Sequence, residues 1–528
     1  MTALDTFVEE RLPPQDQWPE FINLDALDYP ERLNVADQLL GGALERGLGE
    51  RPCIRSDDTE WTYAQTAAQV NRIANVLVDD MGLVPGGRVL LRAANTPMLA
   101  ACYLAVQLAG GVAVPSMPLF RHKELSQMVD KAQVGLALCD HRLDEEMEAT
   151  AADSDVLTDV RYFGGDTEFD RLVAAAPDTF EPCDTAADDP CVLAFTSGTT
   201  GRPKATVHSH RTILASCDSY MPFALQAQPE DVFTGSPPLA FTFGTGGLLW
   251  FPLRAGASTV LVEEPSPPNL AAAIEKHRPT MCFTSPTAYR RIAETDHDLS
   301  SLRTCVSAGE TLPKATFEAW QERTGVALLD GIGSTEMIHI FISNAPDDVM
   351  PGSTGRPVPN YHAKVIDEAG EQVVDQIGRL AVRGPTGCLY LDDDRQASYV
   401  HDGWNLTGDA YTQDEQGRFW YASRSDDMIV SSGYNIAGPE VEDALMAHEA
   451  VLECAVVGVP DQERGSLVKA YVVLREGFDD RQETVKTLQD HVKNSIAPYK
   501  YPRAVEFVDQ LPKTATGKIQ RYVLRDRS

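Results

Sequence analysis

Basic residues are scarce in this sequence of 528 amino acids: 45 Lys plus Arg stand against 78 Asp plus Glu, a formal net charge of -33. A surface of that sign repels nucleic acid and anionic membrane, so neither is an expected partner. Cysteine is sparse as well. The 10 cysteines are scattered without a Cys-x-x-Cys pair or the Cys/His spacing of a zinc site. That argues against a metal-thiolate centre and fits buried, reduced thiols in a cytoplasm. No apolar run is long enough to span a bilayer, since Met98 to Val114 and Gly244 to Leu253 are interrupted by Gly, Gln or Pro. Met1 to Pro14 carries acids and prolines where a signal peptide would show a basic and then an apolar segment. Long Pro/Ser/Gln-rich stretches and internal repeats are missing too, so a soluble, globular, cytoplasmic protein is expected.

What is present is ordinary core material: 43% hydrophobic residues in a chain several times the usual domain length, enough for two or more well-buried domains. The acidic excess falls in pairs such as Asp188-Asp189 and Asp347-Asp348, which read as hydrated surface. It also opposes any polyanionic ligand, so a phosphate site here must build local positive potential from its own Lys, Arg and backbone N–H groups.

Strand and helix patterns alternate through the first four hundred or so residues. Helical spacing covers Thr62 to Asp80 and Pro97 to Leu108, and strand signals fall at Arg88 to Arg92, Val112 to Pro115, Gly135 to Cys139, Val192 to Phe195, Ser258 to Val262, Met281 to Thr284 and Thr304 to Ser307. This predicts a layered α/β architecture. Short strands and turns follow around Leu380 to Arg383 and Phe419 to Tyr421. The tail, with helices at Pro439 to His448 and Val485 to Ile496 and strands at Cys454 to Val459 and Ala470 to Leu474, reads as a small α+β domain.

The densest signal is Leu193-Ala194-Phe195-Thr196-Ser197-Gly198-Thr199-Thr200-Gly201-Arg202-Pro203-Lys204, an apolar strand running into a loop of glycines and hydroxyls. Glycine lets backbone N–H groups approach phosphate oxygens, hydroxyls donate further bonds, and Arg202 and Lys204 add charge. It is not a Walker A loop, because Ala205 follows Lys204 where Ser or Thr would hold magnesium.

With this loop the chain resembles the adenylate-forming superfamily of acyl-CoA synthetases, luciferases and adenylation domains. Further motifs follow in the family's order: Ser307-Ala308-Gly309-Glu310, Asp330-Gly331-Ile332-Gly333-Ser334-Thr335-Glu336, Gly403-Trp404-Asn405-Leu406-Thr407-Gly408-Asp409, Arg424-Ser425-Asp426-Asp427, and Pro512-Lys513-Thr514-Ala515-Thr516-Gly517-Lys518. With Trp61-Thr62-Tyr63 the match spans nearly the whole chain. The resemblance implies a large N-terminal adenylation domain over 1–425, a small mobile α+β domain over 427–528, and a hinge at Asp426. It implies ATP, Mg²⁺ and coenzyme A as ligands.

Roles follow from the same resemblance. Thr196 to Gly201 and Lys204 would hold the β- and γ-phosphates, and Glu336 would bind Mg²⁺. Gly309, Glu310 and Asp330 to Gly333, with Ser334 and Thr335 beside them, would border the nucleotide. Asp409 would accept from the ribose hydroxyls with Arg424 next to it. Lys518 would bridge the carboxylate and α-phosphate during adenylation. It would then leave as the small domain turns and the loop Ser431 to Tyr434, with Gly433, lines a tunnel for the CoA thiol. Two residues depart from the usual pattern: Ser423 stands where glycine is common, and Ile332 replaces an aromatic.

For the acid, Asp330 to Phe341 looks most like benzoate-CoA and 2-aminobenzoate-CoA ligases. Phe241 would flank the carboxylate, with Thr242 beside it, Phe243 and Ile338 would form ring walls, and His339 would close the floor. The segment Met337 to Phe341 reads as the start of a helix. The expected reaction joins a small aromatic acid to CoA through its acyl-adenylate. Rival readings are a medium-chain acyl-CoA ligase, a carrier-protein-loading aryl-acid enzyme, and a nucleotide-binding regulator without catalysis.

Overall fold

A computed structural model describes residues 4–196, 203–424, 427–431, 434–461, 465–478, 482–496, 498–514 and 518–527. It is a mixed α/β protein with a large N-terminal and a smaller C-terminal domain.

Two sheets organise the large domain. One has six strands in the order Asp159–Phe163, Leu136–Asp140, Arg88–Arg92, Val112–Ser116, Pro190–Thr196 and Lys204–Ser209, with the last pair antiparallel and the others parallel. The other has nine strands, from Arg356–Pro357 at one edge through Ile340–Ser343, Leu328–Gly333, Thr304–Ser307, Met281–Thr284, Val232–Gly235, Ser258–Val260 and Pro52–Arg55 to Glu60–Thr62. Strands Arg88–Arg92 and Val112–Ser116 are buried along their whole length, the mark of parallel strands covered on both faces.

The helix Pro97–Leu108 shows why an apolar run here is core. Thr96 Oγ1 accepts the Leu99 N–H at 3.2 Å and Pro97 fills the first turn, so the start is well capped. Ten of its residues are buried, and it packs against helices Val35–Glu45 and Tyr63–Asn75. Among the described residues no helix is long and apolar enough to cross a membrane. Nine of the 10 cysteines are buried and all are free thiols, as the spacing suggested.

An antiparallel five-stranded sheet, including Gly378–Arg383, Trp404–Gln413 and Phe419–Arg424, leads to the small domain. There the strands Val451–Asp461, Gly465–Leu474 and Ala504–Phe507 carry helices Gly438–Met446 and Gln482–Ser495. Val441, Leu445, Val456, Val472, Leu488 and Val492 form the core between them.

One expectation about charge is corrected. Asp189 is buried, and its carboxylate accepts the Ala186 N–H at 2.8 Å. Its neighbour Asp188 pairs with Arg211, and Asp348 holds both Arg356 and Arg418. Acid pairs in sequence are therefore partly structural. A turn that needs a side-chain acceptor recruits Asp just as a wet surface does.

Candidate active site

Lys204 opens the strand Lys204–Ser209, directly opposite Thr196, so these two residues close the hairpin that carries the glycine-hydroxyl loop. Ser197, Gly198, Thr199, Thr200 and Gly201 lie outside the described residues, as do Asp426 and Gly433. Segment 389–391 runs alongside the same strand: Val207 N–H donates to the Leu389 carbonyl at 2.8 Å and Leu391 N–H to the Ala205 carbonyl at 2.9 Å. This sets Tyr390 beside Lys204. Lys204 Nζ donates to Tyr390 Oη at 3.1 Å, and Tyr390 Oη donates to Glu336 Oε1 at 2.5 Å. Two motifs far apart in sequence thus meet through a tyrosine belonging to neither. Burial, then the adjacent Glu336 carboxylate, pushes the Tyr390 phenol far up, so it stays a donor. His208 on the same strand donates from Nε2 to the Thr335 carbonyl at 2.8 Å and tethers the Glu336 turn.

Asp409 and Arg424 face each other across two antiparallel strands, with Arg424 Nη1 donating to Asp409 Oδ1 at 2.9 Å and to the Thr407 carbonyl at 3.2 Å. Gly408 has φ +76°, and a Cβ there would stand 2.8 Å from Arg424 Nη2. Burial raises the Asp409 carboxyl pKa against the opposing pull of Arg424 and Lys518. Lys518 comes from the small domain: a Cβ on Gly309 would lie 3.8 Å from its Cε. Protein crowding lowers the Lys518 amine pKa first and Arg424 lowers it further, while Glu310, Asp409 and Glu336 act in the opposite direction. The residue is nevertheless exposed to water, which screens part of this shift. Glu310 is held by the Thr287 hydroxyl at 2.8 Å.

Of the residues proposed for the acid, Phe243 packs against the His339 ring and Ile338 adjoins it in the chain. Phe241 precedes a short helix, Thr242–Thr245, which continues through a π-turn at Gly246–Trp250. His339 is 3% exposed, with the rings of Phe251, Tyr220, Phe243 and Phe283 at centroid distances of 4.5, 5.5, 5.6 and 6.5 Å. A Cβ on Gly246 would stand 2.3 Å from its ring, so glycine is required for this packing. Neither ring nitrogen makes a hydrogen bond of good geometry among the described residues, and only the Phe243 backbone is near enough to favour the charged ring. Burial lowers its pKa to about 3, which keeps the ring neutral.

The expected helix start at Met337 is wrong. Residues 334–339 form a turn, and Ile340–Ser343 is a strand pairing antiparallel with Leu328–Gly333. The apolar run fits a helix face or a buried strand equally well, and the pairing of Ile332 with Ile342 decides. The turn is tight: a Cβ on Gly333 would lie 2.7 Å from the His339 carbonyl group. Ile338, fully buried, takes φ +65°, a left-handed conformation costing a β-branched residue about 1–2 kcal/mol.

Sequence reasoning missed Tyr390, Phe283, Tyr220 and Asn95. Asn95 grips the loop before Phe241, donating to the Pro237 carbonyl at 3.0 Å and accepting from Leu239 N–H at 2.8 Å. An Asn in the turn between a buried strand and a helix is the one local sign that could have marked it.

Residues 44–389 match the family described as AMP-binding enzyme, and 440–518 match its C-terminal domain. The chain belongs to the AMP-binding enzyme family. This AMP-binding enzyme is 37% identical to the benzoate–CoA ligase of Thauera aromatica over 95% of its own length and 97% of that protein. It is 31% identical to the 3-hydroxybenzoate–CoA ligase of Aromatoleum sp. (strain CIB), covering 94% and 97%. Its fold superposes on the crystal structure of the anthranilate CoA ligase AuaEII in complex with anthranoyl-AMP with a TM-score of 0.90. The two are 35% identical, covering 95% and 98% of the two chains.

Proposed function

We propose that this AMP-binding enzyme is an acid–thiol ligase that converts an aromatic carboxylic acid of the benzoate or 2-aminobenzoate type into its CoA thioester. One observation carries the reading. Lys204 and Glu336 meet through Tyr390, Asp409 pairs with Arg424, and Lys518 lies within electrostatic reach of Glu336, Asp409 and Arg424, while His339, three residues on from Glu336, stands in a shell of four aromatic rings. Planar rings suit such walls better than a long, flexible acyl chain does.

In the first half-reaction a carboxylate oxygen of the acid attacks the α-phosphorus of ATP. The bond to the bridging oxygen breaks, and pyrophosphate leaves. Anion meets polyanion in a chain of net charge -33, so the local cations Lys204, Arg424 and Lys518 are what make the approach favourable. Lys204 holds the terminal phosphates and Asp409 accepts from the ribose. Lys518, in its charged form, bridges the acid and the α-phosphate.

Glu336 fits a magnesium ligand. Its Oε1 is taken by Tyr390, while no hydrogen bond engages Oε2 among the described residues. No group of three His, Cys, Asp or Glu able to hold a metal is found among them either. A single carboxylate with one free oxygen suits an ion that takes its other ligands from phosphate and water, and Mg²⁺ so held neutralises phosphate charge. In the second half-reaction the CoA thiol gives up its proton, its sulfur attacks the acyl carbon, and AMP leaves. Lys518 has by then withdrawn with the small domain about the hinge at Asp426.

The test is product analysis with ATP, Mg²⁺, CoA and benzoate or 2-aminobenzoate. AMP, pyrophosphate and the aryl-CoA are expected. ADP and phosphate would overturn the mechanism, and activity on fatty acids alone would overturn the substrate class.

A further inference from the structure

Tyr390 stands outside every motif of the sequence, yet its hydroxyl touches both Lys204 and Glu336. Its place is fixed independently of either. The Tyr390 N–H donates to Gln396 Oε1 at 2.9 Å, and Gln396 Nε2 in turn donates to the carbonyls of Cys388 at 3.0 Å and Gln17 at 2.9 Å. Leu389 and Leu391 are bonded to the strand that begins at Lys204, and the Tyr390 ring packs edge-on to Tyr399 at 5.7 Å. The residue is fully buried. Backbone, ring and neighbours therefore put the hydroxyl where it is before any ligand arrives.

A lysine and a glutamate brought this close have a competing arrangement, a direct ion pair. Such a pair would use up the cation meant for phosphate and the carboxylate meant for the metal. The interposed hydroxyl prevents it. It gives Lys204 a neutral acceptor, leaving the other ammonium protons for phosphate oxygens, and it occupies Oε1 of Glu336 while no other described residue bonds Oε2.

We propose that Tyr390 is a positioning residue for magnesium–ATP, a spacer that keeps Lys204 and Glu336 from pairing and orients the Glu336 carboxylate toward the metal. This rests on the reading of Glu336 as the magnesium ligand. Tyr390→Phe keeps the ring and its packing and removes the hydroxyl alone.

Calorimetric titration of ATP into the full-length protein, with Mg²⁺ and with chelator, reads the effect without turnover. In the wild type Mg²⁺ should tighten ATP binding. In Tyr390→Phe that enhancement should shrink about 10-fold, and the Mg²⁺ concentration giving half-maximal pyrophosphate release should rise by a similar factor, with the KM for benzoate within about twofold. Tyr399→Phe, which loses a hydroxyl one ring away, should leave the Mg²⁺ dependence unchanged. In a Glu336→Gln background Tyr390→Phe should add nothing further to the loss of Mg²⁺ dependence.

An unchanged Mg²⁺ enhancement in Tyr390→Phe, an equal loss in Tyr399→Phe, or additive losses with Glu336→Gln would overturn the role of Tyr390 and leave the ligase reading intact. A wild type whose ATP affinity ignores Mg²⁺ would overturn both.

Discussion

Helix Pro286–Ala293 reaches from Glu310 to the small domain, and Arg290 on it offers a way to separate the two proposed half-reactions. Thr287, at its start, holds Glu310, while Arg290 Nη1 donates to the carbonyl of Leu452, in the first strand of the small-domain sheet, at 2.5 Å. Burial lowers the Arg290 pKa, so this charged donor sits in a partly dry interface. The bond belongs to the arrangement that puts Lys518 beside Gly309, and the proposed rotation of the small domain would break it. A hydrogen bond from a charged donor is worth about 1.5–3 kcal/mol. Removing it shifts the balance between the two domain arrangements by about 10- to 150-fold. Arg290→Met keeps the apolar stem and deletes the donor. Benzoate-dependent ATP–pyrophosphate exchange should fall by that factor, whereas thioester formation from supplied benzoyl-adenylate and CoA should be unchanged or faster. Equal losses in both assays, or no loss in either, would refute the assignment of this contact to the adenylating arrangement.

Lys518→Ala should slow adenylation about 10²- to 10³-fold while sparing thioester formation from the supplied adenylate, since a positioned charge at the transition state is worth that much. Equal losses in the two steps would contradict its role. Because the Lys518 amine is held below its ordinary value, adenylation should also decline as pH rises through that lowered pKa, and Lys518→Arg should postpone the decline. Stability should show a separate pH dependence from the buried rings of His208 and His210, whose pKa values burial lowers from 6.5 to about 4. Below pH 6.5 the unfolded chain takes up protons that these folded rings refuse. Their contribution is whole above that pH and is lost on acidification towards about pH 4, on the order of 3 kcal/mol per ring. His210→Asn keeps an acceptor for the Val35 N–H, 3.1 Å from Nδ1 in the wild type, and should flatten the fall of the urea midpoint over this range. Parallel declines in variant and wild type would refute it.

Much of the architecture was legible because it depends on short-range rules. Pro97–Leu108 announces itself by an N-terminal Thr and Pro and a terminating Gly pair, and Met281–Thr284 and Thr304–Ser307 by β-branched and apolar runs between polar turns. Met337 to Phe341 was misread because a run of four apolar residues around one histidine carries no period. Only pairing with Leu328–Gly333 makes them a turn and a strand. Asp189 was misread because an acid in a turn and an acid on a wet surface look alike until the turn is seen to close on it.

The charged residues Lys204, Glu336, Asp409, Arg424 and Lys518 were named from sequence because each lies in a contiguous motif. The tertiary structure alone decided what joins and confines them: Tyr390 between Lys204 and Glu336, Asn95 on the loop before Phe241, four rings around His339, and Arg290 against Leu452. None but Asn95 has a local signature, because each role is created by strands and domains meeting across long sequence separations. Periodicity and propensity describe a residue's immediate neighbours in the chain. Which surfaces those neighbours press against is settled by sheet order and core packing.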